Sequence, residues 1–117
     1  NQKLAIKILE KVGYRVDVVE NGKEVITALE NTAYDLVLMD LQMPEMGGLE
    51  TTKIIRAPFS NDINHEIPII ALTAHAMAKD EAECLEAGMN GYVSKPIRRD
   101  TLYAEIERLL KSRQVDG

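Results

Sequence analysis

The sequence predicts an α/β fold in which helices cover both faces of a parallel β-sheet. Helical and strand patterns alternate along the chain with short connections, which favours parallel strands joined by right-handed crossovers. The run 35–39 (Asp-Leu-Val-Leu-Met) is almost continuously apolar, as is typical of a strand buried on both faces. With 117 residues, 45% of them apolar, the chain suffices for one domain with its own core.

Each element follows from a local pattern. Apolar residues recur at helical spacing in five segments, and short β-branched or apolar runs form four strands. Gly13 and Gly88 each end a helix, and Asn21 is placed to cap one. The expected order is helix 1–12, strand 15–19, helix 23–30, strand 35–39, helix 50–56, a solvent loop over 57–66, strand 67–72, helix 77–87, strand 91–94 and helix 100–112.

Composition excludes several functional classes. The net charge of −5 argues against a nucleic-acid-binding module, which usually has a basic face. No apolar run approaches the ~20 residues of a membrane span. The single cysteine, Cys84, forms no internal disulfide or Cys-based zinc site, which fits a reducing compartment, the cytoplasm.

Polar residues follow the predicted strands at the edge where ligands gather in parallel sheets. They are Glu20, Asp40, Thr73 and Lys95. A carboxylate can attack phosphorus, an ammonium can neutralise phosphoryl oxygens, and a hydroxyl can hydrogen-bond one of them. Each residue alone has an ordinary explanation as a loop cap, a turn hydroxyl or a solvated charge. The combination at successive strand ends favours phosphoryl transfer, in which positioning and charge stabilisation do most of the catalysis.

Three segments carry a family resemblance: 36–46 (LVLMDLQMPEM), 68–74 (PIIALTA) and 87–96 (AGMNGYVSKP). In this order and spacing the chain resembles the receiver domain of response regulators, the CheY-like family. It is most similar to receivers of hybrid sensor histidine kinases. The resemblance covers essentially all of residues 1–117 as one domain and implies a flavodoxin-like, doubly wound sheet with strand order 2-1-3-4-5.

The resemblance also implies a role for each matching residue. Asp40 would accept a phosphoryl group from a phosphohistidine on a histidine kinase or histidine-phosphotransfer domain. Mg²⁺ would be held by Asp40 and the backbone carbonyl of Gln42, while Lys95 would pair with the phosphate. Thr73 would turn toward the phosphoryl group, and Tyr92 would follow it inward as the second part of a switch that alters an output face.

Two further expectations concern residues around this site. Gln42 and His75 each lie two positions beyond a central residue, and we expect them to tune the lifetime of the phosphoryl group. For His75 the simpler interpretation is a solvated residue at a helix start. The resemblance also implies that the Lys95–Pro96 peptide bond is cis, which only about 5–6% of X-Pro bonds are.

The sequence departs from the family pattern at its beginning. The family's first strand, which ends in a pair of acidic residues, is absent from this chain, and Glu20 does not replace it by order. We therefore expect an N-terminally incomplete domain that binds Mg²⁺ weakly or not at all. The alternatives are a strand from a swapped partner or a rearranged sheet, and a true degenerate receiver.

The leading function is a phosphoaccepting domain of a two-component phosphorelay that catalyses its own phosphorylation and dephosphorylation. The alternative is a pseudo-receiver, a protein-interaction module that is not phosphorylated. An aspartate-nucleophile phosphatase is disfavoured, since Gln42 stands where a second carboxylate is usual. Direct contact with nucleic acid or membrane is not expected. A homodimer or swapped dimer stays open, as does whether the domain belongs to a hybrid histidine kinase.

Overall fold

The computed structural model describes residues 2–19, 21–41, 47–57, 63–73 and 78–115. These residues form five helices and three strands. In chain order they are α1 (Gln2–Lys11), α2 (Gly22–Asn31), β1 (Val37–Asp40), α3 (Gly48–Arg56), β2 (Ile69–Thr73), α4 (Ala78–Ala87), β3 (Gly91–Ser94) and α5 (Arg99–Val115).

The three strands form one parallel sheet in the order β1-β2-β3. Met39 of β1 lies opposite Ala71 of β2, which lies opposite Tyr92 of β3. Because the strands run in the same direction, their carboxyl ends meet at one edge, as the alternation of elements predicts.

Helices cover both faces of the sheet, and each face has its own core. On one face α2, α3 and α4 contribute Val25, Leu29, Ile55 and Cys84 to a cluster with Met39, Ile69 and Ala71. On the other, α1 and α5 contribute Ile8, Leu9, Leu102, Ile106 and Leu109 to a cluster with Ile70 and Val93. Alternate residues of β2 therefore enter opposite cores, which confirms the doubly wound α/β fold.

The residues predicted to end or cap helices have the expected conformations. Gly13 and Gly88 have φ angles of 96° and 109°, a left-handed conformation that glycine adopts without a Cβ clash. The Asn21 side chain accepts a hydrogen bond from the backbone N–H of Glu24 at 2.9 Å, capping α2. These local signals determine where the helices stop and start.

The predicted strand at 15–19 is wrong. Described residues 14–19 have no regular secondary structure, because none of them reaches a ladder partner. In the strand order 2-1-3-4-5 that the resemblance implies, another strand would lie between this segment and β1. No described residue forms that intervening strand. Side chains hold the segment instead: Val16 and Val19 pack against the two cores, and the Tyr34 hydroxyl donates to Asp17 Oδ2 at 2.5 Å.

Smaller differences concern the ends of elements. Asp40 and Thr73 are the last residues of β1 and β2 rather than the first residues beyond them. Within the predicted solvent loop, Ile63 is only 5% exposed and belongs to a core cluster, whereas Asn64 and Glu66 are exposed as expected. Among the described helices, none has the length and apolar character that crossing a bilayer requires.

Candidate functional site

Three sequence-predicted residues lie at the carboxyl edge of the sheet. Asp40 ends β1 and is in register with Leu72, the residue before Thr73. Lys95 directly follows β3, and its backbone N–H donates to the carbonyl oxygen of Thr73 at 2.7 Å. Sequence positions 40, 73 and 95 are thus brought to three neighbouring strand ends, as predicted.

Asp40 and Lys95 form an ion pair at this edge. Lys95 Nζ donates a hydrogen bond to Asp40 Oδ2 at 2.9 Å, and the two side chains are 17% and 29% exposed, respectively. A charge-assisted bond of this length is stronger than a neutral one, and partial burial reduces screening by solvent. The pair places an ammonium directly beside the carboxylate that the sequence analysis predicts to be the nucleophile.

Thr73 is one of the few buried polar residues among those described, with 6% of its surface exposed. Its neighbours in β2 are apolar, and its position at the strand end carries the hydroxyl to the edge that Asp40 occupies. A buried hydroxyl keeps a hydrogen-bond partner because an unpaired one is costly.

The start of α3 is set tightly against the end of β1. A Cβ built on Gly48 would lie 2.9 Å from the carbonyl oxygen of Asp40 and 3.1 Å from Leu41 Cα. Both are backbone atoms, which cannot move without displacing the strand end. A side chain at Gly48 would therefore disturb Asp40, whereas Gly47 has no atom within 4 Å of its built Cβ.

Tyr92 lies in β3, half-buried, and the acidic charge of α4 acts on its phenol. The negative charge of Glu81, a hydrogen bond to its carboxylate and, to a smaller extent, burial and the charge of Glu105 raise the pKa of the Tyr92 phenol. Glu81 of α4 is thus an acidic neighbour of the Tyr92 phenol, and sequence reasoning missed it. No periodic signal connects Glu81 to a residue in a strand.

The predicted cis peptide bond is confirmed, whereas the predictions for Gln42 and His75 concern residues outside the described part of the chain. The Lys95–Pro96 peptide bond is cis, as the resemblance implied. Gln42 and His75, expected to tune phosphoryl lifetime, both lie outside the part of the chain that the structure describes.

Among the described residues at this edge, the Asp40 carboxylate is a candidate ligand for a magnesium ion. Mg²⁺ prefers octahedral oxygen coordination, usually with one or two carboxylates and several waters. The described residues contain no group of three or more His, Cys, Asp or Glu side chains suited to a metal, and the Asp40 carboxylate is shared with Lys95. The described part of this edge therefore offers Asp40 as a carboxylate ligand, and that carboxylate is already bonded to an ammonium.

At the opposite edge of the sheet, Arg56 joins three segments in a way that sequence reasoning also missed. Its guanidinium donates to the carbonyl oxygen of Gly88 at 2.9 Å, to that of His65 at 2.6 Å and to Asn90 Oδ1 at 2.8 Å. Asn90 Oδ1 also accepts from the backbone N–H of Ile69 at the start of β2. Burial lowers the pKa of Arg56, but arginine stays charged.

Comparison with known proteins agrees with this geometry. The family model of the response regulator receiver domain matches residues 1–107. Hybrid signal transduction histidine kinase K of Dictyostelium discoideum is 41% identical over 118 residues, covering 97% of this chain and 10% of that protein. Histidine kinase 1 of Arabidopsis thaliana is 53% identical over 87 residues, covering 73% of the chain and 7% of that protein. The chain thus spans about a tenth or less of these relatives.

Solved structures of receiver domains from histidine kinases also match this chain. The receiver domain of a sensor histidine kinase from Pseudomonas aeruginosa PAO1, solved with a magnesium ion coordinated in its active-site cleft, matches with a TM-score of 0.83 and 39% identity, over 95% of this chain and 88% of that one. The signal receiver domain of a histidine kinase from Syntrophus aciditrophicus matches with a TM-score of 0.81 and 32% identity, over 95% and 82%.

Proposed function

Because this chain belongs to the response regulator receiver domain family of two-component signalling proteins, we propose that Asp40 accepts a phosphoryl group from a phosphohistidine. The donor is a histidine kinase or a histidine-phosphotransfer domain. The observation that carries the proposal is the 2.9 Å bond between Lys95 Nζ and Asp40 Oδ2 at the carboxyl edge of the sheet. This pair supplies a nucleophile and a counter-charge at one point.

The reaction is a phosphoryl transfer between two side chains. An Asp40 carboxylate oxygen forms a bond to phosphorus, the phosphorus–nitrogen bond of the phosphohistidine breaks, and the electron pair of that bond returns to the imidazole. Lys95 turns from the carboxylate to the new phosphoryl oxygens, whose negative charge it balances. The Thr73 hydroxyl donates a hydrogen bond to one of these oxygens. Hydrolysis of the acyl phosphate by water restores Asp40 and releases phosphate.

Phosphorylation would act as a switch because it changes charge at one strand end. The phosphoryl group carries roughly −1.5 to −2 charges and three strong acceptor oxygens, and it replaces the single negative charge of the Asp40 carboxylate. Movement of Thr73 toward them opens space beside β3, and Tyr92 then leaves Glu81 to follow. This is a shift between two conformations, biased by contacts that exist only in the phosphorylated one. The surface of α4, β3 and α5 would report it.

The finer parts of the proposal extend to residues and context around the site. Gln42 and His75 tune how long the phosphoryl group survives. The domain works in the cytoplasm, as part of a longer protein of the hybrid histidine kinase type. Magnesium binds this chain only weakly because the described edge has one carboxylate, and no step above depends on the ion.

A phosphorylation assay tests the assignment directly. The chain is incubated with acetyl phosphate at increasing magnesium concentrations, and intact mass and peptide mapping locate the added phosphoryl group. We expect labelling at Asp40 that disappears in Asp40→Asn. The matched control is Asp35→Asn, the same change at an exposed acid two residues before β1, and labelling should persist there. Equal labelling of Asp40→Asn and the unsubstituted chain would contradict the assignment.

A second candidate function is a pseudo-receiver that binds a partner without being phosphorylated. The observation that favours it is the lack of an acidic cluster among the described residues. Under this function the chain shows no labelling at any magnesium concentration, yet Asp40→Asn and the unsubstituted chain bind a histidine kinase equally well. Labelling at Asp40 would exclude it.

A further inference from the structure

The segment 14–19, between α1 and α2, combines backbone without a ladder partner and exposed apolar side chains. Among the described residues, no backbone hydrogen bond reaches 15–19. The segment lies beside the approach to β1, because the hydroxyl of Tyr34 donates to Asp17 three residues before that strand begins. Most of the exposed large apolar side chains among the described residues lie in this segment or just before it: Val12, Tyr14 and Val18.

The packing of the segment is that of an extended chain. In an extended chain, even-numbered side chains share one face and odd-numbered side chains the other. Val16 packs against the core formed with α1 and α5, whereas Val19 packs against the core formed with α2, α3 and α4. A chain in this conformation, with free N–H and C=O groups, can pair with another strand.

The charges of the segment favour one partner and one register. When two copies run antiparallel and are centred on Val16, Arg15 of each copy lies opposite Asp17 of the other. In the same register Tyr14 lies opposite Val18, so exposed apolar side chains also meet. Centring the pair one residue later puts two Asp17 side chains opposite each other, and one residue earlier two Arg15 side chains. Both alternatives are unfavourable because like charges repel.

The cation of this pattern is available to a second copy. The Arg15 side chain is 87% exposed, and its Nε lies 3.9 Å from Asp17 Oδ1 within one chain, a contact that contributes little to stability. The other oxygen of Asp17 accepts from Tyr34, which fixes the carboxylate in place. An arginine of another copy can therefore bond an acid that is already oriented.

We propose that segment 14–19 is a homodimerisation edge, at which two copies of this chain pair antiparallel about a two-fold axis through Val16. Both copies use the same surface, so the contact closes on itself and does not propagate into a fibre. Six residues a side is far below the roughly 20–30 of a standard interface, so the dimer is weak and forms at high concentration.

Charge-swapped variants test this pairing. Arg15→Asp and Asp17→Arg each put like charges opposite one another, whereas the double variant with both changes restores opposite charges. The matched control is Arg99→Asp, which changes net charge as Arg15→Asp does, in the exposed Arg99–Asp100 pair of α5. Sedimentation equilibrium between about 10 μM and 1 mM gives Kd. Amide NMR shifts on dilution locate the contact, and thermal melting confirms folding.

We expect Kd to rise about tenfold or more in each single variant and to return to within about twofold of its original value in the double variant. An equimolar mixture of the two single variants should dimerise, since one carries two acids in the segment and the other two cations. Arg99→Asp should change Kd by less than about twofold.

A chain that stays monomeric at about 1 mM would overturn the proposal. So would equal weakening in Arg99→Asp, or a double variant and a mixture that dimerise no better than the single variants. Dilution shifts centred on the exposed Leu85 of α4 rather than on 14–19 would assign the contact to another surface and also overturn it. The outcome does not depend on whether Asp40 is phosphorylated.

Discussion

Removing the contact between Asp40 and Lys95 should reveal how much free energy the pair holds in the unphosphorylated domain. The perturbation is a double-mutant cycle of Asp40→Asn, Lys95→Met and the two together. Asparagine and methionine keep the approximate size of the original side chains while removing the charges. The cycle therefore isolates the interaction energy rather than the loss of packing.

The interaction energy of this pair should lie between that of a hydrogen bond to a charged group and that of a fully exposed ion pair. A hydrogen bond to a charged group contributes about 1.5–3 kcal/mol to stability, and a fully exposed ion pair about 0.2–1 kcal/mol. With Lys95 17% and Asp40 29% exposed and Nζ–Oδ2 at 2.9 Å, this pair lies between them. We expect a coupling free energy of about 1–2 kcal/mol.

Urea denaturation of the four chains measures this coupling from the free energies of unfolding. Raising the salt concentration should weaken it only slightly, because the partial burial of both side chains limits screening. A coupling below about 0.5 kcal/mol, the usual error of additivity, would refute the reasoning that this contact is strong. For Lys95 to turn from Asp40 to a phosphoryl group, its new contacts must contribute more than this coupling free energy.

Three further outcomes test other parts of the structure. Arg56→Ala should lower the free energy of unfolding by about 3 kcal/mol in urea denaturation, because three acceptors lose their donor; a loss under about 1 kcal/mol would contradict this. Gly48→Ala should destabilise by about 2 kcal/mol more than Gly47→Ala, since only the former forces a Cβ against backbone; equal losses would show that the helix shifts freely. The hydrogen bond to Asp17 raises the pKa of Tyr34 above 10.0, so its stabilising effect is present below pH 10 and lost as pH rises through the folded-state pKa. NMR titration should show this pKa falling in Asp17→Asn, and an unchanged pKa would argue against the contact.

The parts of the fold that sequence reasoning predicted depend on signals within a few residues. The Asn21 cap, the left-handed glycines at 13 and 88, and the apolar run before Asp40 each specify local conformation. Alternation of such elements was then enough to predict a parallel sheet with Asp40, Thr73 and Lys95 at one edge.

The parts it missed depend on partners far away in the chain. A strand exists only if another strand lies beside it, and the β-branched run at 15–19 has none among the described residues. Arg56 is bonded to acceptors at positions 65, 88 and 90, and Glu81 raises the pKa of the Tyr92 phenol, with no spacing rule connecting these residues. Such contacts follow from tertiary packing, which a local pattern does not contain.

Beryllofluoride, a phosphoryl mimic that attaches to carboxylates, gives the most direct test that one phosphoryl group contacts all three strand ends. We expect ¹⁹F signals from a single bound adduct, absent in Asp40→Asn, with backbone amide shifts at Asp40, Thr73 and Lys95 that appear together during titration. An adduct that forms at another carboxylate, or that leaves the amides of Thr73 and Lys95 unmoved, would contradict the account.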